Sequence, residues 1–190
     1  VRPMRALLFA EEDETVVQFL TAGDAALPPL IEVAVKVGNG EMIRVVKPPD
    51  MDELWTWYVQ TGNMEADPSW GKLWETSKAL AANIVDGTNA LVSVNGKRVA
   101  ELGCGLGLVG LAAAKSGAAS VIFCDREPVA IHCALSSAAV SGLIVVAVQD
   151  LADAEAGACS GSLLDWADPQ ALGQGIDLIV AADCLYDPAT

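Results

Sequence analysis

Residues 97–125 read KRVAELGCGLGLVGLAAAKSGAASVIFCD. KRVAEL has the apolar, β-branched character of a strand, GLVGLAAAKSG that of a helix, and SVIFCD that of a second strand. Between the first strand and the helix, Gly105, Gly107 and Gly110 keep a G-x-G-x-x-G spacing, and Gly103 stands just before them. A glycine loop that leaves a strand and opens a helix lets backbone N–H groups approach a polar or anionic ligand with no side chain in the way. The bland alternative is that Gly103, Gly105 and Gly107 only make a tight strand-to-helix turn.

Outward from this unit the alternation continues. EPVAIHCALSSAAVSG (127–142) reads as a helix, LIVVAVQ (143–149) as a strand and IDLIVAAD (176–183) as another strand. The Ala- and Gly-rich stretch at 150–161 reads as a surface loop, followed by LLDWADP at 163–169. Strands separated by short helices make βαβ units. Right-handed crossovers then arrange them as a doubly wound, Rossmann-like, mostly parallel sheet in an α/β fold. Only four parallel strands are visible, the fourth would be left as an edge, and the chain is therefore expected to be a fragment or a shortened product.

Upstream, TVVQFLTAGDAALPPL (15–30) begins as a helix and stops at Pro28–Pro29. IEVAVKVGNGEMIRVVKP (31–48) alternates on both sides of Gly38-Asn39-Gly40, the pattern of a β-hairpin. MDELWTWYVQTG (51–62) reads as a short amphipathic helix. In DPSWGKLWETSKALAANIV (67–85), Asp67 can cap a helix with Pro68 at its first position, and the spacing places Trp70 and Trp74 on one face. Trp55 and Trp57 are two apart and cannot share a helix face, so they read as packing residues or part of a substrate surface.

With 53% hydrophobic and 19% charged residues, the chain is globular rather than disordered. Eleven Lys plus Arg stand against 25 Asp plus Glu, a net charge of -14, which argues against nucleic acid as a partner and for a basic or neutral one. Five cysteines at irregular spacing, without a C-x-x-C pair, indicate neither a disulfide framework nor a metal site, and point to a reducing, intracellular compartment. No run approaches the roughly 20 apolar residues of a membrane span, and the early run Glu11-Glu12-Asp13-Glu14 is too acidic for the usual transit peptide. The expectation is a soluble, cytoplasmic monomer that binds no membrane.

Asp125 closes the second strand, where a carboxylate can accept hydrogen bonds from both hydroxyls of a ribose. That points to a nucleoside cofactor and leaves two candidates, a nicotinamide dinucleotide and S-adenosylmethionine. Three features favour the second. Glu101, two residues before Gly103, would repel a pyrophosphate but favour a cationic methionine end. Almost 100 residues precede a unit that usually begins the nicotinamide fold. The last strand ends in DLIVAADCLYD, with Asp183 and Tyr186 at the carboxyl edge where ligands of open α/β sheets bind.

The order WETSKALA, ELGCGLGLVGLAAAKSGA, VIFCDRE, LLDWAD and DLIVAADCLYD resembles the seven-β-strand S-adenosylmethionine-dependent methyltransferases, and within them the family 16 protein lysine methyltransferases. The resemblance spans roughly residues 30–190. It implies an N-terminal extension, 1–66, with hairpin and short helix. It also implies an S-adenosylmethionine-binding methyltransferase domain, 67–190, that lacks the C-terminal strands of its relatives. By resemblance, Gly103, Cys104, Gly105 and Gly107 line the methionine and ribose moieties, with Glu101 supporting that loop or reaching the methionine ammonium. Asp125 holds the ribose, Trp166 after Asp165 lies against the adenine, and Trp74 closes over the cofactor. Ala182 makes backbone contacts near the transferred methyl, and Asp183 and Tyr186 handle the target amine of a protein lysine.

Each position has a plainer reading. Trp74 on an apolar face reads as core packing, Trp166 as a cap on the sheet, Asp183 as a strand-end cap, and His132 as a packed core residue without a catalytic role. A non-catalytic fragment of such an enzyme is the main alternative function, and a nicotinamide-dependent oxidoreductase the next.

Overall fold

The computed structural model of the chain describes residues 27–87, 93–150, 155–166 and 175–184, with the backbone alone at Gln149. In chain order its strands are β1 (Ile31–Val37), β2 (Glu41–Lys47), β3 (Arg98–Leu102), β4 (Ser120–Asp125), β5 (Ala158–Leu163) and β6 (Leu178–Ala181). Its helices are α1 (Met51–Gln60), α2 (Glu75–Asp86), α3 (Leu108–Lys115) and α4 (Pro128–Val140).

Strands β3 to β6 form one parallel sheet in the order β5-β4-β3-β6. All six residues of β4 are buried, as befits a central strand covered on both faces, and this is why its middle, VIFC, reads as an apolar run without polar alternation. The parallel sheet with helical crossovers is the α/β architecture that the alternating pattern implies. Its third strand lies elsewhere than expected. LIVVAVQ contributes only a single parallel bridge, Val145 to Cys159, and then a 3₁₀ turn at Val148–Asp150. The strand itself is ACSGSL, in the stretch read as a surface loop. Its small residues answer to packing rather than to strand propensity: a Cβ on Gly161 would lie 2.4 Å from Ile131 Cγ2 of α4.

Side chains alternate across this sheet. Val99, Val121, Phe123 and Cys159 point into one cluster with α2, α3, α4 and the hairpin, while Ile122, Cys124 and Ala158 point into a second, smaller cluster with Leu164 and, partly buried, Leu102, Val146 and Trp166. Thus the described helices gather on one face, and irregular segments cover the other. Helix α3 shows why the first face packs so closely. Seven of its eight residues are buried, and a Cβ on Gly110 would sit 2.5 Å from Phe123 Cε1, so only small residues fit along that side. Burying Phe123 here stabilises the fold by about 2–3 kcal/mol.

The hairpin β1–β2 is antiparallel, closes at Val37 and Glu41, and turns Val35, Val37, Ile43 and Val45 inward. It docks on α4 by hydrogen bonds as well as packing. The Val46 N–H donates to Ser137 Oγ at 2.8 Å, Arg44 Nη1 donates to the Val140 carbonyl at 2.5 Å, and Ser141 Oγ donates to the Arg44 carbonyl at 3.1 Å. Helix α1 follows, capped by Asp50, whose side chain accepts from the Glu53 N–H at 2.8 Å.

The segment after Asp67 also differs from its expected form. Asp67 does cap a helical turn begun by Pro68, but this is a 3₁₀ turn, Pro68–Gly71, and the chain is extended at Lys72 and again at Trp74 before α2 starts at Glu75. Gly71 packs so tightly that a Cβ would meet Leu54 Cδ2 at 2.7 Å, and glycine is a poor residue on which to continue a helix. Trp70 and Trp74 therefore do not share a helix face: Trp70 is buried, whereas Trp74 is 37% exposed as the N-cap of α2. No helix among the described residues is long and apolar enough to cross a membrane.

Candidate cofactor and active site

The carboxyl ends of β3, β4 and β6 meet at one edge of the sheet, where the glycine loop leaves β3. Gly103 and Gly105 have φ of 58° and 49°, the left-handed region in which only glycine is unstrained. Space forbids a side chain as well. A Cβ on Gly103 would lie 2.7 Å from Cys184 Cβ and 3.8 Å from Trp166 Cζ2, and one on Gly105 would lie 3.0 Å from the Trp70 carbonyl oxygen. The loop is tied to the sheet by the Cys104 N–H, which donates to the Cys124 carbonyl at 3.0 Å. It ends at Gly107, the residue that precedes α3.

Asp125, at the end of β4, is 8% exposed and fastens this loop from the side. Its Oδ2 accepts the Gly105 N–H at 2.8 Å and its Oδ1 accepts the Glu127 N–H at 3.0 Å. Burial pushes the Asp125 carboxyl above its ordinary pKa, and the N–H donors of Glu127, Gly105 and Arg126, with the nearby Arg126 charge, pull it back. Each carboxylate oxygen still has a lone pair for a further donor.

Glu101 lies inside the core at 3% exposure rather than at the loop surface. Its Oε2 accepts the Gly110 N–H at 2.7 Å, so the side chain caps the start of α3. Burial raises its pKa to about 8, against the opposing pull of the Gly110 and Val109 N–H groups. Of the two roles offered from sequence, loop support is the one this placement favours. Cys104 is also buried, and desolvation holds its thiol well above the usual range.

Beyond β6, Ala182 is partly buried and Asp183 is exposed. Asp183 has φ of 54°, a conformation uncommon for a residue with a Cβ, and its Oδ2 accepts a hydrogen bond from the Thr76 hydroxyl in the first turn of α2. Cys184 follows against Gly103. On the other side, Trp166 is half-buried in the second cluster with an edge toward Gly103, and Asp165 is exposed. Trp74 stands at the start of α2, its Nε1 donating to the Ser69 carbonyl at 3.1 Å and Lys72 Nζ 4.3 Å from its ring centroid. Tyr186 lies outside the described residues.

The structure thus brings together Gly103, Trp166 and the Asp183–Cys184 segment, and separately Gly105 and Asp125. Among the described residues no hydrogen bond joins Trp74 to either group, although Thr76, two residues on, reaches Asp183. Thr76, Glu127, Tyr58 and Trp70 are absent from the sequence-based set; Thr76, Glu127 and Trp70 touch this edge, and Tyr58 backs it through Glu127 and Trp70. His132 is buried in α4, where desolvation lowers its pKa to about 4, and it sits away from the loop as a neutral core residue.

A family model of lysine methyltransferases matches residues 59–190. No curated protein matches the chain. Among solved structures it is similar to a putative S-adenosylmethionine-dependent methyltransferase from Streptococcus mutans, at 14% identity and a TM-score of 0.43, over 70% of this chain and 26% of that one. The chain therefore spans about a quarter of that protein's length. The family match sets aside the nicotinamide alternative. Its span runs from α1 through the glycine loop, Asp125 and Asp183, and on that span the chain belongs to the lysine methyltransferase family.

Proposed function

We propose that the chain methylates the side-chain amine of a protein lysine. The family's cofactor is S-adenosylmethionine, and the residues present fit it. Gly103 and Gly105, in the left-handed region, leave the loop backbone bare of side chains, Asp125 keeps acceptor capacity for a ribose hydroxyl beside its backbone donors, and the flat ring of Trp166 borders the loop. In this reading Gly103, Cys104, Gly105 and Gly107 hold the methionine and ribose ends, with Ala182 adding backbone contacts. Asp165 and Trp166 bound the adenine, and Trp74 closes the cleft from α2. The unit is residues 67–190, and the 1–66 segment is an extension whose hairpin completes its core.

The observation that carries the proposal is the juxtaposition of Gly103 with the segment Asp183–Cys184, the carboxylate being held by Thr76. When bound, the cofactor supplies a methyl group on a sulfonium, open to in-line displacement. The protein's part is to present a neutral amine in line and to exclude water. A lysine amine has an unperturbed pKa of about 10.4, so the site must take it deprotonated. In this reading Asp183 accepts an N–H from that amine and fixes the direction of its lone pair. Tyr186 offers its hydroxyl or ring face to the same group. A net charge of -14 supports the recruitment of a basic substrate segment. The five free cysteines support a reducing compartment such as the cytoplasm.

Asp183→Ala is expected to abolish transfer of label from radiolabelled S-adenosylmethionine to protein lysine in a cell extract while leaving S-adenosylhomocysteine binding nearly intact by calorimetry. Asp125→Ala is expected to lose that binding. Equal loss of binding in both variants defeats the division of roles. Tight binding by the unaltered protein with no labelled lysine in any extract would favour the non-catalytic alternative.

A further inference from the structure

Five residues make a closed circuit beneath the glycine loop. Trp70 Nε1 donates to Tyr58 Oη at 2.8 Å, and the Tyr58 hydroxyl donates to Glu127 Oε2 at 3.0 Å. The Glu127 N–H donates to Asp125 Oδ1 at 3.0 Å, and Asp125 Oδ2 accepts the Gly105 N–H at 2.8 Å. The circuit closes through space, because the backbone carbonyl of Trp70 lies against Gly105. The direction of donation is consistent throughout: an indole that can only donate, a hydroxyl that accepts one hydrogen bond and donates another, and carboxylates that only accept. Tyr58 is 2% exposed and its burial raises the phenol pKa, so it stays protonated as the donor to Glu127.

Two of these residues, Tyr58 and Glu127, lie outside the loop, and their hydrogen bonds reach it through Asp125 and Trp70. Tyr58 comes from α1, so the circuit joins the N-terminal hairpin-and-helix segment to the edge of the sheet. Resting on the reading of Asp125 as the ribose-holding carboxylate, we propose that Tyr58 and Glu127 are positioning residues that set the direction of the Asp125 carboxylate and thereby the protein's selectivity for a ribose with both hydroxyls.

The mechanism is geometric. Gly105 and Glu127 each hold a backbone N–H within 3.0 Å of one Asp125 oxygen, with the Arg126 N–H beside them, so the carboxylate plane is set by these neighbouring backbone groups. The Glu127 backbone is in turn held by its own side chain on Tyr58. Glu127 also heads α4, where its carbonyl accepts the Ile131 N–H at 3.3 Å and Pro128 follows, so freeing its side chain is expected to tilt its N–H rather than release the backbone, and the carboxylate plane follows. The Cys104 N–H is held by the Cys124 carbonyl rather than by Asp125, so the contacts that Gly103 and Cys104 make to the amino-acid end of the cofactor are expected to change less than those to the ribose.

The test compares two ligands on the full chain by calorimetry: S-adenosylhomocysteine and its 2′,3′-dideoxy counterpart. Tyr58→Phe, which keeps the ring and removes only the hydroxyl, is expected to weaken S-adenosylhomocysteine about tenfold, the effect of one lost hydrogen bond. The dideoxy ligand is expected to change less than about twofold. Glu127→Ala should match it. Glu127→Gln, which retains an acceptor for Tyr58, should recover most of the loss. Equal weakening of both ligands would mean a merely structural role and overturn the proposal, as would no weakening of either. Should Tyr58→Phe not fold, Glu127→Ala carries the comparison, since Glu127 is partly exposed. An unaltered protein that binds S-adenosylhomocysteine yet does not prefer it to the dideoxy ligand overturns the role of Asp125. One that binds neither overturns the cofactor reading as a whole.

Discussion

Thr76, in the first turn of α2, donates its hydroxyl to the carboxylate of Asp183, a residue 107 positions further along the chain. The bond joins the helix that bears Trp74 to the end of β6, and it holds a carboxylate whose backbone is in the left-handed region. Removing the hydroxyl frees the direction of Asp183 without touching the glycine loop. Thr76→Ala is therefore expected to lower the rate of methyl transfer about tenfold while S-adenosylhomocysteine affinity stays within about twofold, and Thr76→Ser to restore the rate. Single-turnover rates with a basic peptide substrate, alongside calorimetry, separate the two. A change in affinity as large as the change in rate would sink this assignment.

Gly103 separates the glycine loop from Cys184, and no room remains between them. Alanine there suffers twice, from a φ of 58° that costs a residue with a Cβ about 1–2 kcal/mol, and from the 2.7 Å approach to Cys184 Cβ. Gly103→Ala should lower Tm by about 5 °C and weaken S-adenosylhomocysteine. Paired with Cys184→Gly, which removes the opposing atom, the steric part should be relieved while the conformational part persists. Thermal melts of the single and double variants measure the two shares.

Glu101 gives a signature in pH. Its folded pKa, about 8, lies above the ordinary 4.5, so between those values the folded protein holds a proton that the unfolded chain has released. Stability contributed by this group is complete below about pH 4.5 and is lost as the pH rises toward 8. Glu101→Gln, which mimics the protonated acid and keeps an acceptor for the Gly110 N–H, should remove that slope. The check is the difference in Tm between variant and unaltered protein across this window. A constant difference would mean that Glu101 is ionised in the fold at low pH.

His132 has the opposite sign. Its folded pKa, about 4, lies below the ordinary 6.5, so the unfolded chain takes up a proton first and stability falls as the pH drops from 6.5 toward 4. Its Nδ1 has no partner among the described residues, and its Nε2 lies 3.5 Å from Ser136 Oγ. His132→Leu should reduce the acid sensitivity of Tm over that range and leave methyl transfer unchanged. Loss of activity without loss of stability would give this residue a role that its burial argues against.

How much of this could be read in advance depended on whether local pattern or packing decided each element. The glycine loop, β3, β4 and β6 are apolar runs whose ends are marked by Gly103 and Asp125, and those marks survive folding. Residues 158–163 contain nothing that favours a strand, because Gly161 and its neighbours are chosen for the closeness of Ile131 and Leu135 on α4. The same holds for Trp70 and Trp74. Their spacing suits a helix, but the room available at Gly71 beside Leu54 breaks it, and that distance has no trace in the sequence. At the site, Asp125 and Asp183 were legible as carboxylates at strand ends. Glu101 was legible as a residue near the loop but not in its orientation, since capping α3 depends on where the helix begins. Thr76 and Tyr58 carried no signal, because their partners lie 107 and 69 positions away.

The backbone of Asp125 does as much as its side chain. Its carbonyl accepts the Leu164 N–H at 2.9 Å, while its carboxylate holds Gly105 and Glu127, so one residue is the meeting point of the loop, the start of α4 and the segment that carries Trp166. These three pieces of chain cannot drift independently. Slow breathing at this edge should register as a shared event, with the amides of Gly105, Glu127 and Leu164 exchanging with solvent at one common rate that slows together when ligand binds.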